Sequence, residues 1–284
     1  GLAELSGIYL VDDEGQRVEG EDGAVVFSIG ATETLTDVSR HPLVRKLYPS
    51  LAAAAGQVAG PQIRNQGTLG GNLCLDTRCT YYNQTEFWRN SLGYCLKKDG
   101  DVCHVTKVGK KCVAAHSADT PPVLITLGAT VVLASADGER EVAVADFFVA
   151  DGTWNTVRQH EEIVKRVRIP LPSPRLRTAY KKVRQRNSID FPLLSIALAT
   201  ELEDDGVVRD ISLVVSALGA RPRELSGLVE RTAGKPLEDS IEDIAEISFK
   251  QCHPLENIIV DPEWRRAMVP VYVTRVLEEV ADSD

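Results

Sequence analysis

Pro61-Gln62-Ile63-Arg64-Asn65-Gln66-Gly67-Thr68-Leu69-Gly70-Gly71-Asn72 is the stretch that decides how this chain is read. Pro61 opens a new segment after Gly56 and Gly60 loosen the one before it. The stretch is polar and rich in glycine, so its backbone can approach a ligand without obstruction from Cβ atoms. A dinucleotide pyrophosphate needs such a surface, with exposed N–H groups and further donors from Thr and Asn side chains. A Gly-Gly pair alone is more often a tight turn. A second glycine-bearing segment, Ile29-Gly30-Ala31-Thr32-Glu33-Thr34-Leu35, has the same character.

Regular structure is expected on both sides of this loop. Residues 24–29 are a short apolar run ending at Gly30, which reads as a buried strand. Residues 42–58 are rich in Leu and Ala and read as a helix. Downstream, a helix is expected over 123–127, then strands over 130–134 and 163–169. Pro170, Pro172 and Pro174 mark a linker and a domain boundary. Beyond it, Ile196, Leu198, Thr200 and Leu202 alternate with smaller or polar neighbours, as do Ile211, Leu213 and Val215. Glu203-Asp204-Asp205-Gly206 joins the two runs as a hairpin loop. The last helix opens at Asp261-Pro262, an N-cap followed by proline at the first helical position. Its expected apolar face is Trp264, Met268, Tyr272, Val276 and Val280, with a kink at Pro270.

Residues 74–116 interrupt this pattern. They are rich in Cys, Tyr, Lys and Gly and show no helical or strand periodicity. A long stretch of that kind inside a compact domain is usually functional or disordered, and clustered Cys and aromatic residues argue against disorder. Five of the six cysteines, Cys74, Cys79, Cys95, Cys103 and Cys112, fall within 39 residues, with Cys252 far away. The gaps are Cys79-x15-Cys95-x7-Cys103-x8-Cys112. A 4Fe–4S cluster needs four thiolates converging on one cube, and widely spaced ligands suit a loop that wraps it. Structural zinc sites favour tight Cys-x2-4-Cys pairs, and Cys74-x4-Cys79 is the one tight spacing here. Zinc stays the main rival, incidental thiols the bland one. Tyr81, Tyr82, Phe87, Trp88 and Tyr94 are candidates to shield a cluster from water. Lys97, Lys98, Lys107, Lys110 and Lys111 make the insert locally basic, which would steer an acidic redox partner. His104 is expected to be exposed rather than a ligand.

The 284 residues suffice for two domains with real cores. A net charge of −9 argues against nucleic acid or an anionic membrane surface as a partner. No apolar run approaches the roughly 18 residues of a membrane span. No basic-then-apolar signal segment opens the sequence, so the cysteines are read as reduced thiols of a cytoplasmic protein. Because the sequence starts at Gly1, an upstream piece is expected to be missing.

The Gln62–Asn72 stretch closely resembles the flavin loop of the FAD subunits of xanthine dehydrogenase and carbon monoxide dehydrogenase. Ile29-Gly30-Ala31-Thr32 resembles the strand and loop before it. Asp119-Thr120-Pro121-Pro122-Val123-Leu124-Ile125-Thr126-Leu127-Gly128-Ala129 resembles the segment after it, and Asp190-Phe191-Pro192-Leu193-Leu194-Ser195-Ile196-Ala197 the start of the family's C-terminal domain. The resemblance implies an α+β chain with an FAD-binding fold of the vanillyl-alcohol-oxidase (PCMH) type over 1–172, an iron–sulfur insert at 74–116, and a C-terminal domain of antiparallel sheet and helices over 173–284. The family's first strand and first pyrophosphate loop have no counterpart in this sequence.

By the same resemblance Thr68, Gly70, Gly71 and Asn72 line the pyrophosphate or ribityl region of FAD, with Gly30 and Thr32 nearby. Asp119 bonds a ribose or ribityl hydroxyl, and Lys181 is a candidate for the flavin edge. Arg175, Arg177, Lys181, Lys182, Arg184 and Arg186 otherwise read as one solvated basic strand. The insert resembles that of the 4-hydroxybenzoyl-CoA reductase family, which implies that Cys79, Cys95, Cys103 and Cys112 hold a 4Fe–4S cluster. It also implies a molybdenum-cofactor subunit and a 2Fe–2S subunit as partners, in a heterotrimer doubled to a hexamer, with ferredoxin as electron donor. No nucleophile or general base is expected on this chain. The alternatives are an ordinary molybdenum hydroxylase's FAD subunit with outward electron flow, and a zinc-binding scaffold.

Overall fold

A computed structural model describes residues 2–282. Strands β1 (Ile8–Asp12), β2 (Arg17–Val18) and β3 (Ala24–Gly30) form an antiparallel meander. Three short helices follow, α1 (Leu35–Arg40), α2 (Pro42–Leu47) and α3 (Pro49–Gly56). The single helix expected over 42–58 is therefore two. Pro49 takes the first helical position of α3 and holds Tyr48 outside helical geometry, at φ −138° and ψ 64°. Then come α4 (Pro61–Arg64), α5 (Leu69–Leu73), α6 (Glu86–Ser91), α7 (Thr120–Thr126), β4 (Thr130–Ser135), β5 (Gly138–Ala143), α8 (Val144–Phe147) and β6 (Ile163–Pro170). The sheet order is β2-β1-β3-β6-β4-β5, antiparallel throughout.

One core joins this sheet to its helices. Phe27 and Ile29 of β3, Val131 and Leu133 of β4, and Val167 and Ile169 of β6 pack with Leu51, Leu69, Leu73 and Leu124. Tyr48 is fully buried, and its hydroxyl donates to Pro170 O at 2.8 Å.

The chain then builds β7 (Leu176–Val183), β8 (Leu194–Leu202), β9 (Val208–Ser216), β10 (Arg223–Glu224), α9 (Val229–Thr232), α10 (Leu237–Gln251) and α11 (Pro262–Ala281). These strands form a second antiparallel sheet, ordered β10-β9-β8-β7. Its β8–β9 hairpin turns at 203–206, where Gly206 takes φ +76°. The sheet is covered on both faces. Tyr180, Ala197 and Val214 join the first core, while Ile196, Leu198, Leu213 and Val215 pack under α10 and α11. Burial on both faces explains why residues 194–200 are apolar or small without interruption.

Asp261 caps α11, its carboxylate accepting Trp264 N–H at 2.6 Å. The buried face is Arg265, Val269, Val273, Val276, Leu277 and Val280; of the expected set Val276 and Val280 belong to it, Met268 and Tyr272 pack half-buried at its flank, and Trp264 alone is 43% exposed. A run spaced strictly by four drifts about 40° per step around a helix of 3.6 residues per turn, so it cannot stay on one face. Among the described residues no helix is long and apolar enough to cross a membrane.

The insert leaves α5 and returns to α7, with α6 as its one helix. Its neck closes where Arg78 and Ala115 exchange backbone hydrogen bonds of 2.8 and 2.6 Å. His116 then plugs into the second sheet. Its Nδ1 lies 2.9 Å from Ser216 Oγ, its ring meets Phe148 edge-on, and its backbone N–H donates to Gly219 O. Complete burial drives its pKa down to about 3. A base that resists protonation only when folded contributes stability that is lost as pH falls below the imidazole value of the unfolded chain. Stability is therefore expected to drop by about 2 kcal/mol between pH 7 and pH 5 from this residue alone. Urea titrations of the wild type and His116→Gln at both pH values check this; the variant should lack that part of the slope.

Candidate functional site

Two sites stand side by side along the chain, the glycine-rich loop and the cysteine insert. In the loop, Thr68 caps α5 by accepting Gly71 N–H at 3.1 Å. Leu69 and Gly70 N–H groups donate to Glu33 O and Ala31 O, both at 2.9 Å, and Thr34 bridges to Thr68. The two glycine-bearing segments are thus brought together. A Cβ on Gly70 would lie 2.8 Å from that of Ala31, so this glycine lets the two segments touch. Gly71 is exposed and a Cβ there would meet only Thr68 Oγ1, at 3.2 Å, which leaves Gly71 and Thr68 as the outward edge open to a ligand.

Gly30 and Thr32 have a different occupation. A Cβ on Gly30 would lie 2.3 Å from Leu5 O, and the Gly30 N–H donates to Gly7 O. Thr32 Oγ1 donates to Leu5 O at 2.8 Å. The close approach at these two positions is made by the chain's own segment before β1. Asn72 is buried, its side-chain oxygen accepting Thr120 N–H at 3.1 Å and Thr120 Oγ1–H at 2.7 Å. It ties α5 to α7.

Asp119 is 3% exposed, and both carboxylate oxygens accept from the second sheet: Tyr180 Oη at 2.7 Å and Lys182 Nζ at 2.9 Å. Lys182 also donates to Gln57 O. Burial pushes the Asp119 carboxyl up and the Lys182 ammonium down, and each group's charge offsets that penalty for the other. Lys181 faces the opposite side of β7 and pairs with Glu279 of α11, so the structure does not bring it to the loop. The expected solvated basic strand has one exception, Lys182, whose side chain is 0% exposed. The period of two in a strand, which puts residues 180 and 182 on one face, is the signal that separates it from Lys181.

In the insert, Cys79, Cys95, Cys103 and Cys112 are all buried free thiols and all line one cavity. Cys74 is exposed and lines none of it, and Cys252 is buried in the core beneath α10 and α11. Tyr81, Tyr82 and Val105 pack on the Cys79–Cys112–Ala114 cluster. Trp88 reaches the group through Tyr81, whereas Phe87 is 82% exposed and shields nothing. His104 is half-buried, stacked on Tyr81 and bonded to Tyr94 O.

The thiols are served by N–H donors. Burial raises Cys79, opposed by the Tyr81 and Tyr82 backbone. Burial likewise pushes Cys112 up to about 11, opposed by Ala114 N–H and the charge of Lys97. At Cys103 burial also opposes the thiolate, but bonds from Thr106, Val105 and Val113 together hold it below the ordinary thiol value. Four such sulfurs, deprotonated by a bound metal, would be a soft donor set for iron or zinc. Among the described residues no three His, Cys, Asp or Glu side chains are grouped to hold a single metal ion. The insert carries seven Lys and Arg against four Asp and Glu, but Lys97 is buried and does not belong to its surface.

Comparison with known proteins places the chain. Residues 14–172 match the FAD binding domain in molybdopterin dehydrogenase, and residues 178–280 match the CO dehydrogenase flavoprotein C-terminal domain. The chain belongs to this family of FAD-binding subunits of xanthine and CO dehydrogenase type. It is 28% identical to the glyceraldehyde dehydrogenase medium chain of Sulfolobus acidocaldarius, over 89% of this chain and 75% of that protein. It is 31% identical to the aldehyde oxidoreductase FAD-binding subunit of Escherichia coli, over 70% of this chain and 66% of that one. Of the nicotinate dehydrogenase FAD-subunit of Eubacterium barkeri it spans 58%. The fold is shared with carbon monoxide dehydrogenase of Hydrogenophaga pseudoflava, at a TM-score of 0.73 and 22% identity, covering 98% of this chain and 78% of that one. The α+β architecture is thus as expected.

The Asp119–Lys182 pair makes a measurable demand. Lys182→Met strands a buried carboxylate and is expected to cost about 3–5 kcal/mol. Urea unfolding should show that loss, and adding Asp119→Asn in the same chain should restore most of it.

Proposed function

We propose that this FAD subunit carries a 4Fe–4S cluster on Cys79, Cys95, Cys103 and Cys112 and is the electron-entry subunit of a molybdenum-hydroxylase-family reductase. The observation that carries this reading is the placement of four buried thiols around one cavity, three of them facing hydrogen-bond donors. In a 4Fe–4S cluster each of the four thiolates would bind a different iron from outside, so Cys79, Cys95, Cys103 and Cys112 need only surround a shared space.

The two cofactors have separate supports in this chain. FAD would lie along Thr68 and Gly71, with Gly70, Asn72, Gly30 and Thr32 building the loop behind them and Asp119 bracing it. Flavin, when bound, supplies exchange between one- and two-electron steps. We further infer two domains, 1–172 with the insert and 173–284, in a cytoplasmic enzyme whose molybdenum and 2Fe–2S subunits are separate chains. Ferredoxin would deliver electrons at the insert. There Lys98, Lys107, Lys110 and Lys111 are exposed and suit an acidic partner.

The substrate we assign is 4-hydroxybenzoyl-CoA, bound by a partner subunit. Two electrons and two protons would convert it to benzoyl-CoA and water. The support for this substrate is the spacing of the insert cysteines. The names of the relatives, dehydrogenases of glyceraldehyde and nicotinate, favour the second reading, an oxidising enzyme with electrons leaving by this subunit.

Metal analysis of anaerobically purified protein tests the cluster. About four iron and four acid-labile sulfide per chain are expected. Replacing Cys79, Cys95, Cys103 or Cys112 by Ser should lower both, and Cys74→Ser should leave both unchanged. One zinc without iron, or a cluster lost in Cys74→Ser but kept in Cys79→Ser, would contradict the assignment. Turnover of 4-hydroxybenzoyl-CoA with reduced ferredoxin tests the substrate.

A further inference from the structure

Lys97, two residues past Cys95, lines the same cavity as the four thiols, and its side chain is only 4% exposed. Its Nζ donates to Asp76 Oδ1 at 2.7 Å, Thr77 Oγ1 at 2.8 Å and Gly152 O at 2.5 Å. An ammonium has three N–H groups, so all are committed. The acceptors belong to two other segments of the cage. Asp76 and Thr77 lead into Cys79. Gly152 lies against Cys112: its N–H donates to Cys112 O at 2.8 Å, and a Cβ there would stand 3.0 Å from the Cys112 sulfur. Thr77 Oγ1 closes the circuit on Gly152 O at 2.7 Å. The ring of Tyr82 covers the ammonium at 4.8 Å. One buried cation therefore joins the segments that carry Cys79, Cys95 and Cys112.

Resting on the cluster reading above, we propose that Lys97 is a positioning residue that sets the cluster's reduction potential. Reduction adds one electron and no proton to a group already bearing four thiolates. A fixed positive charge beside it favours the more negative state, and burial strengthens that effect relative to water. Asp76 opposes it, but its carboxylate is 60% exposed and is screened by solvent. The cation is the inner charge of the pair, so its influence dominates.

The test is a redox titration of the assembled enzyme with dithionite, followed by electron paramagnetic resonance, in the wild type, Lys97→Met and Asp76→Asn. Lys97→Met should move the cluster midpoint to a more negative potential, and Asp76→Asn to a less negative one. A strut without electrostatic influence gives no such opposition of sign. Iron release to a chelator should also be several-fold faster in Lys97→Met. An unmoved or raised midpoint in Lys97→Met overturns the proposal. If that variant holds no cluster, Asp76→Asn decides: a less negative midpoint upholds the proposal, an unmoved one overturns it. Iron and sulfide in the wild type are measured first. Their absence removes the cluster reading and this proposal together, whereas a full cluster with unmoved midpoints removes only the proposal.

Discussion

Four thiols cannot be held as thiolates in a cavity away from water unless positive charge and hydrogen-bond donors surround them. The proposed cluster would place that constraint on the insert. Its backbone turns N–H groups toward sulfur at Cys79, Cys103 and Cys112 instead of spending them on helix or strand. Lys97 is drawn inward, and aromatic rings close the outside. This segment of more than forty residues has one short helix and wraps the cavity that the four buried thiols line.

The C-terminal half braces the cage from below. Asn257, fully buried, accepts Thr80 N–H on its backbone oxygen at 2.9 Å and donates from Nδ2 to Val113 O at 2.7 Å. Those contacts fall one residue after Cys79 and one after Cys112. Arg265 of α11 donates to Leu255 O and Ala217 O, keeping this loop in place. Burial lowers its pKa to about 10, so it remains a cation at neutral pH. Further along, Asn72–Thr120 and Asp119–Lys182–Tyr180 lock the flavin loop, α7 and the second sheet into one unit. Both candidate cofactor sites thus depend on the junction between the two sheets.

Much of this was legible in the sequence. Apolar and alternating runs located β3, β4, β6, β8 and β9, and turn and cap residues located the hairpin at 203–206 and the start of α11, because each rests on local chemistry. The four cysteines that the resemblance implied as ligands are the four whose thiols share a cavity, and Cys74 lies outside it. What escaped is what only the third dimension decides. Lys97 and Lys182 look like their exposed neighbours in sequence, yet a carboxylate placed by another segment draws each inward. Gly30 and Gly70, expected near and along FAD, are also required for close packing against the chain's own backbone and Ala31, which the sequence does not display. On α11 the expected face held at Val276 and Val280, reached the flank of the core at Met268 and Tyr272, and left it at Trp264, because spacing by four drifts around a helix of 3.6 residues per turn.

X-ray absorption at the iron and zinc edges of the purified protein tests the central claim most directly. Iron bound by sulfur alone, with a short iron–iron distance, is expected of a cube held by four thiolates. A zinc–sulfur shell with no metal–metal neighbour, or iron ligated by nitrogen and oxygen, would contradict it.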